Sequence, residues 1–159
     1  MNRRRKGAKR RSRILQTWSI RQAEAAVPYI RSVLTSLRED HLEVQARRLE
    51  VRRLAAGPGR RDRAGLLSLR QAQDEADRAL ERAVEDAEEL AELDVYSLDP
   101  ASGQGQLPFV YEEQLAWYLF DLFDERKPLR YWRFESDPTD MRRPITTLQT
   151  GSAGTVRVR

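Results

Sequence analysis

Apolar residues recur at alternating steps of four and three positions along residues 20–56, which is the spacing of a helix that buries one seam. The seam positions are Ala23, Val27, Ile30, Leu34, Leu37, His41, Val44, Arg48, Val51 and Ala55. The pattern predicts a long helix whose only polar interruptions on the seam are His41 and Arg48.

The ends of this helix are marked by local signals. Ser19 and Gln22 are spaced as a capping box, so the helix is predicted to begin at residue 20. Pro28 cannot donate a backbone hydrogen bond and predicts a kink. Gly57-Pro58-Gly59 ends the helix, because proline removes a donor and glycine favours a break.

A second heptad pattern follows over residues 66–93 and is rich in alanine. Its seam positions are Leu66, Leu69, Gln73, Ala76, Leu80, Ala83, Ala87 and Leu90. The two patterns predict an antiparallel helical hairpin. The remaining chain is too short to cover both helices, and a distal stripe including Val44, Val51 and Leu54 stays unpaired. We therefore expect a homodimer or a helical protein partner.

Three short aromatic-rich segments follow, and they predict strands near 107–111, 114–123 and 129–134. Residues 112–126 also fit one face of a helix, and the periodicity leaves strand and helix open. The fold class predicted is α+β, with a coiled-coil-like hairpin and a small antiparallel β-sheet at its base. The expected organisation is a disordered basic arm (1–16), a single domain (17–145) and a flexible C-terminal tail (146–159).

The composition excludes several kinds of site. There is no cysteine and only one histidine, which rules out disulfides, thiolate metal sites and histidine-cluster zinc sites in one chain. No apolar run approaches the roughly 20 residues of a membrane helix. No pair of a nucleophile and a base is visible, so an enzyme is not favoured. We expect no cofactor and a cytoplasmic location.

Charge is divided unevenly along the chain. Residues 1–13 carry eight basic groups and no acid, so the formal charge of +4 hides a body of net charge −4. The basic residues are Arg3, Arg4, Arg5, Lys6, Lys9, Arg10, Arg11 and Arg13. Such an arm is disordered alone and suits contact with RNA, DNA or anionic lipid. A merely solubilising extension remains the alternative.

The second helix carries an acidic ladder, defined as Glu81, Glu85, Glu88, Glu89 and Glu92. Residues 81–94 hold seven acids against one base, a net charge of −6. Such a stripe is typically solvated, although paired carboxylates can also bind a divalent cation. The chain's own basic arm is a further cationic partner.

Aromatic and basic residues lie together on the predicted strands. Trp117, Tyr118, Tyr131 and Trp132, with Arg130 and Arg133, resemble a stacking platform for single-stranded nucleic acid. The alternative is that these aromatics form the face packed on the helices. Likewise, His41 can be a lone ligand, but a ring packed in the hairpin fits its seam position better.

A string of short motifs resembles the prokaryotic domain of unknown function 2203. The motifs are Trp18-Ser19-Ile20-Arg21-Gln22 with Val27-Pro28, Leu93-Asp94-Val95 before Asp99-Pro100, Leu107-Pro108-Phe109, Leu129-Arg130-Tyr131-Trp132 and Arg142-Arg143-Pro144-Ile145. The resemblance covers roughly residues 17–145. It implies a long helical hairpin with a small sheet, and no established activity.

This chain departs from the family pattern at two places. Phe120-Asp121-Leu122 stands where the family usually has a Trp-Arg pair, and Trp132-Arg133 replaces Trp-His. A polar or metal site built on those family residues would be lost here. The favoured function is a non-enzymatic interaction or scaffold module. The alternatives are a nucleic-acid-associated accessory protein that uses the basic arm and a carboxylate-dependent metal-binding protein.

Overall fold

A computed structural model describes residues 14–148 and 155–157 of the chain. It confirms the α+β class, with two long helices packed against each other and a small antiparallel sheet. Helix α1 spans Ile20–Ala55 and helix α2 spans Arg63–Glu92. The second helix therefore begins three residues earlier than the pattern indicated, because Asp62 caps it by accepting from Gly65 N at 2.8 Å.

The capping box at the start of α1 is present. Ser19 Oγ accepts a hydrogen bond from Gln22 N at 3.2 Å, and Gln22 Oε1 accepts from Ser19 N at 2.9 Å. Both bonds satisfy backbone donors that the first helical turn leaves without intrahelical partners. The helix then continues through Pro28 to Ala55.

The α1 seam packs as predicted near the sheet and loosens toward the tip. Ala23, Ile30, Leu34, Leu37 and Val44 are buried. Arg48 and Ala55 are exposed, and Val51 is half-buried. The expectation that Val44 belongs to an exposed stripe is corrected, since its side chain is 4% exposed.

The seam of α2 differs from the predicted one. Its buried members are Ala72, Ala76, Ala79, Ala83 and Leu90. Four members of the predicted seam are instead exposed: Leu66, Gln73, Leu80 and Ala87. The predicted and observed seams share one row of positions, which includes Ala76, Ala83 and Leu90. In the other row each buried residue comes one position before the predicted one, so that Ala72 replaces Gln73 and Ala79 replaces Leu80. The structure uses the alanine column because small side chains let the helices pack closely, and leaves the leucines outside.

The four-stranded sheet has the order β2-β3-β4-β5, with all pairs antiparallel. Its strands are β2 (Gln104–Tyr111), β3 (Gln114–Asp121), β4 (Leu129–Phe134) and β5 (Arg143–Pro144). The strand alternative for residues 112–126 is thereby confirmed over residues 114–121. Glu112 and Glu113 form the β2–β3 turn with φ of 50° and 61°, as a two-residue hairpin requires.

One face of this sheet packs on the helices. Residues opposite one another in register, Leu107, Tyr118 and Trp132, point to that face and are buried. Phe120 is 1% exposed and joins the same core as Leu34 of α1. The hairpin base and the sheet therefore share one hydrophobic core, which fixes the direction in which the hairpin projects.

A separate two-stranded sheet extends the ordered chain beyond the predicted limits. Strand β1 (Ile14–Gln16) pairs antiparallel with β6 (Thr155–Arg157). The assignment of residues 14–16 to a disordered arm and of 155–157 to a flexible tail is corrected. Long-range contacts hold β1, since Leu15 is 6% exposed and Gln16 N donates to Asp94 Oδ2, 78 residues later in the chain, at 2.9 Å.

Candidate functional site

Polar pairs join the two helices along one flank of the hairpin. Arg82 bonds Asp40 at 3.1 Å and Glu43 at 2.6 Å, and Arg47 bonds Glu75 at 2.8 Å. We call these five residues the ion-paired flank. Their side chains retain substantial solvent exposure, so each pair contributes little stability alone. They do fix which residues of the two helices lie at the same level.

The opposite flank exposes leucines, and the ion pair along it, Arg70–Asp74 at 3.2 Å, lies within α2 and does not join the helices. Leu42 and Leu49 lie seven residues apart on α1, and Leu66, Leu80 and Val84 follow helical spacing on α2. Their exposed fractions run from 37% to 55%. Polar residues alternate with them: Gln45, Arg48, Arg52, Gln73 and Asp77. These ten residues define the leucine face, and the groove at its centre has a volume of about 1180 Å³.

The same flank of α1 is covered closer to the sheet. Arg31 Nη1 donates to Leu122 O at 2.8 Å, and Arg38 Nε donates to Ala101 O at 3.0 Å. The Arg38 guanidinium also lies 5.1 Å from the centre of the Phe123 ring. Loops of the sheet thus cover the flank as far as Arg38. The leucine face is the part of this flank that lies farther from the sheet. Within residues 14–148, no sheet loop covers it.

Sequence reasoning found this face only in part. The heptad pattern places Leu66 and Leu80 on the buried seam, and it does not include Leu42 and Leu49. The signal in the sequence was a second stripe of apolar residues along α2. Packing against a single helix buries only one such stripe. Leu42 and Leu49 each follow a seam position by one residue, and they widen the apolar surface of α1 on the same side.

The predicted aromatic platform is divided between the two faces of the sheet, because Tyr118 and Trp132 are buried whereas Tyr131 is 38% exposed and Trp117 is half-buried. Trp132 is 3% exposed, and burial raises the pKa of Tyr118 to about 12, with the Glu24 carboxylate adding to the shift. Arg133 is 5% exposed, and its Nη1 donates to the carbonyl oxygens of Phe134 and Asp137. Tyr118 stacks on Phe109 within the core, whereas the chain after β4 covers Trp132 through Arg143 and Pro144 and Arg133 through Asp137.

Arg143 and Asp137 form a polar clasp over the last long strand. Arg143 donates to both carboxylate oxygens of Asp137, at 3.1 and 3.0 Å, and its guanidinium lies over Trp132 and Phe134 at 5.6 and 5.4 Å. The hydrogen bonds from Arg143, with the Phe134 N–H second, hold the pKa of Asp137 below its usual value. The clasp orders the chain after β4, and the motif pattern did not indicate it.

Arg130 is the one exposed residue among the two predicted sheet arginines. It pairs with Asp124 at 2.8 Å and lines a small surface pocket of about 260 Å³ with Tyr131, Lys127 and Arg142. Contact with nucleic acid at Arg130 stays a prediction. The eight basic arm residues lie outside the described residues.

The acidic ladder is solvent-exposed along its whole length. Glu89 accepts a hydrogen bond from the Tyr29 hydroxyl, and this bond is the first cause that raises the pKa of Tyr29. Within the described residues, no group of three or more histidine, aspartate or glutamate side chains is placed to hold a metal ion. A contact between the ladder and the basic arm stays a prediction.

His41 lies half-buried on the α1 seam, at the start of the leucine face. Its Nε2 is 3.0 Å from the side-chain nitrogen of Gln45 one turn later. This position agrees with packing in the hairpin, and among residues 14–148 the ring belongs to no group of three or more side chains that could hold a metal ion.

Asp86 interrupts the alanine seam with a half-buried carboxyl group. Its Oδ2 is inaccessible to solvent and accepts no hydrogen bond. Desolvation is the first cause that raises the pKa of Asp86, followed by the nearby carboxylates of Asp40, Glu89 and Glu85. Because the folded-state pKa is above the unfolded value, ionised Asp86 destabilises the fold at neutral pH, and protonation relieves the cost.

We expect Asp86→Ala to raise the free energy of unfolding at pH 7 by about 1 kcal/mol, since alanine continues the seam and removes a buried acceptor without a partner. The advantage should shrink as the pH falls through the Asp86 pKa. Urea denaturation at pH 7 and pH 4.5 measures both effects. Glu81→Ala, at an exposed position of the same helix whose carboxylate does not contribute to the raised pKa of Asp86, is the control, and an equal gain in both variants contradicts the assignment.

No helix of the described residues is long and apolar enough to cross a membrane. Searches for similar proteins returned no matching family model, no matching curated protein and no matching solved structure. The resemblance to the domain of unknown function 2203 therefore stays a prediction, and the argument for function rests on the geometry of this chain.

Proposed function

We propose that the protein is a non-catalytic interaction module that associates with a protein partner through the leucine face. The observation that carries the proposal is a pair of helices with five exposed apolar side chains on one flank and interhelical ion pairs on the other. Exposed apolar side chains grouped on one surface with polar residues among them are typical of a non-obligate interaction site.

The residue composition of the leucine face favours a transient complex, in which the partner also exists free in solution. Its apolar side chains alternate with arginine, aspartate and glutamine, as at interfaces whose components also exist free in water. The groove runs along two packed helices, so a helical partner fits it best. One or two added helices would complete a bundle of ordinary architecture.

The other two functions have weaker support. A metal-dependent function needs converging carboxylates, and the described residues hold no such cluster. A nucleic-acid function needs exposed stacking aromatics, and of the four predicted platform aromatics Tyr118 and Trp132 are buried, which leaves Tyr131 and the half-buried Trp117. The charge of the basic arm is the main support for this alternative.

Site-specific photocrosslinking in cells tests the proposal. A photoreactive residue at Leu80, on the leucine face, should give a discrete protein adduct, because a bound partner lies within reach of the probe. The same residue at Arg78, an exposed position two residues earlier on the opposite side of α2, is the matched control and should give none. Adduct formation at Leu80 should also fall strongly when Leu49→Lys is added.

Two results would contradict the proposal. One is equal crosslinking from Leu80 and Arg78, which would indicate non-specific contact. The other is association that survives Leu49→Lys but disappears on nuclease treatment and on deletion of residues 1–13. That pattern would assign binding to the arm and to nucleic acid.

A further inference from the structure

We infer that the partner of the leucine face is a second copy of this chain, bound antiparallel about a two-fold axis that crosses the hairpin near Gln45. This inference rests on the proposed function, and it specifies the occupant of the face. Symmetric dimers need a patch that is complementary to itself, so that residue i meets residue j and j meets i. Six residues of the leucine face form such pairs on the two helices, whereas Leu80 would meet Arg70 of the partner copy.

The pattern on α1 is centred between residues 45 and 46. Leu42 and Leu49 lie at equal distances on either side of that point, so an antiparallel copy brings Leu42 against Leu49 of the partner copy. Both side chains are exposed in the single chain, at 37% and 42%. The two symmetry-related contacts would therefore bury four leucines.

The pattern on α2 is centred at residue 75. Leu66 and Val84 are symmetric about this position, and so are Gln73 and Asp77. An antiparallel copy thus places apolar against apolar at the ends of the face. In the middle it places the Gln73 amide, a hydrogen-bond donor, against the Asp77 carboxylate of the partner copy.

The two centres lie at nearly the same height along the hairpin. The pairs Arg82–Asp40 and Arg47–Glu75 place residues 45–46 level with about residues 76–77 of α2, and the pair Arg82–Glu43 places them level with about residues 79–80. The level is therefore within about two to five residues, or about 3–7 Å, of the α2 centre at residue 75. One two-fold axis can therefore satisfy both helices, and nothing in the fold of a single chain requires this coincidence.

The shape of the base selects the antiparallel arrangement. Sheet loops cover the same flank as far as Arg38, while α1 ends at Ala55. In a parallel dimer, both hairpin tips would lie at the same end, and the sheet loops of the two copies would clash. In an antiparallel dimer, the tip of each hairpin lies next to the sheet loops of the partner copy. The uncovered stretch from Arg38 to Ala55 has its midpoint within about one residue of the α1 centre.

The available area agrees with a specific but moderate dimer. The uncovered stretch is roughly 26 Å long and two helices, or about 20 Å, wide. The resulting footprint is on the order of 500 Å² on each copy, or about 1,000 Å² in total, which is below the standard interface size and in the range of weak, transient complexes. We therefore expect dissociation in the micromolar range.

Sedimentation velocity of the full chain over about 1–100 µM tests the dimer. The expected result is a species of twice the 18.5 kDa mass of one chain. Leu80→Lys should weaken dimerisation at least tenfold. Leu67→Lys is the matched control, because Leu67 is 62% exposed on the same helix but lies outside the leucine face. Equal weakening by both variants overturns the inference.

Introduced cysteines test the symmetry, and the chain has no cysteine of its own to interfere. Gln45→Cys lies beside the axis and should crosslink to its own copy on oxidation. Arg52→Cys should not, since the two copies of residue 52 would be about 20 Å apart along the helices, far beyond disulfide reach. Self-crosslinking at residue 52 but not at 45 overturns the antiparallel arrangement.

The remaining outcomes separate this inference from the proposed function. A monomer at all concentrations that still crosslinks from Leu80 in cells overturns the dimer and keeps the interaction face for another protein. A monomer that dimerises only after deletion of residues 1–13 shows that the chain's own arm occupies the face. A monomer without any adduct in cells removes both proposals.

Discussion

Replacing Trp132 with alanine should lower the free energy of unfolding by about 3–5 kcal/mol, the range for removing a buried aromatic side chain. Trp132 is 3% exposed, and its ring packs edge-on against Phe109, Tyr111 and Phe134. A typical domain has a total stability of about 5–15 kcal/mol. The loss should therefore be a large part of the stability of this fold.

The same side chain also anchors the chain after the sheet. Trp132 Nε1 donates to Pro144 O at 3.2 Å and to Thr147 Oγ1 at 3.1 Å. Trp132→Phe keeps much of the ring packing and loses these bonds, so its stability should lie between those of wild type and Trp132→Ala. Comparing the two variants separates packing from the anchoring of residues 143–147.

Urea denaturation followed by circular dichroism measures these losses, with Tyr131→Ala as the neighbouring control. Tyr131 is 38% exposed and points to the other side of the sheet, so its removal should cost about 1 kcal/mol or less. The buried position of Trp132 would be wrong if Tyr131→Ala proved the more damaging change. A surface role in stacking bases predicts that reversed order.

The second large effect is expected at the hairpin seam, where Ala79→Leu should destabilise the fold by about 1–3 kcal/mol or more. Ala79 is 0% exposed and faces α1. The added three carbon atoms would force the helices apart along the closely packed alanine column, since a packed interior has no room for them.

Ala87→Leu makes the same chemical change at an exposed position of the same helix and should alter stability by about 0.5 kcal/mol or less. Thermal unfolding of both variants at equal protein concentration gives the comparison. The two positions belong to the two alternative seams of α2. A larger loss at residue 87 than at 79 would show that the helix packs through its leucine stripe.

The helices and strands were predictable because their signals are local. The capping box placed the start of α1, and the Gly57-Pro58-Gly59 break separated the helices. The aromatic strands were bounded by turn residues on both sides. The confirmed fold class follows from these signals, since two amphipathic helices and a small sheet have few ways to share a core.

The rotation of α2 was not predictable from periodicity. Leu69, Ala76, Ala83 and Leu90 belong to both possible seams, and the choice between residues such as Ala79 and Leu80 depends on how closely α1 approaches. Hydrophobicity favoured the leucines, and packing favoured the alanines. The leucine face became visible only once this choice was known.

The buried polar groups and the chain ends also escaped the pattern. Arg133 looked like a surface cation because its burial depends on residues 134–137, which fold back over it. Strand β1 looked like part of the arm because its partner, β6, lies about 140 residues away, and no local rule links them.

That distance between β1 and β6 sets an order of events on the ribosome. Residues 14–16 are synthesised first, and at about 5–20 residues per second their partner strand follows several seconds later at the earliest. The hairpin and the four-stranded sheet lie between them and can fold in this interval. Until residues 155–157 emerge, β1 presents an unpaired strand edge, the kind of surface on which a nascent chain pairs with its neighbours.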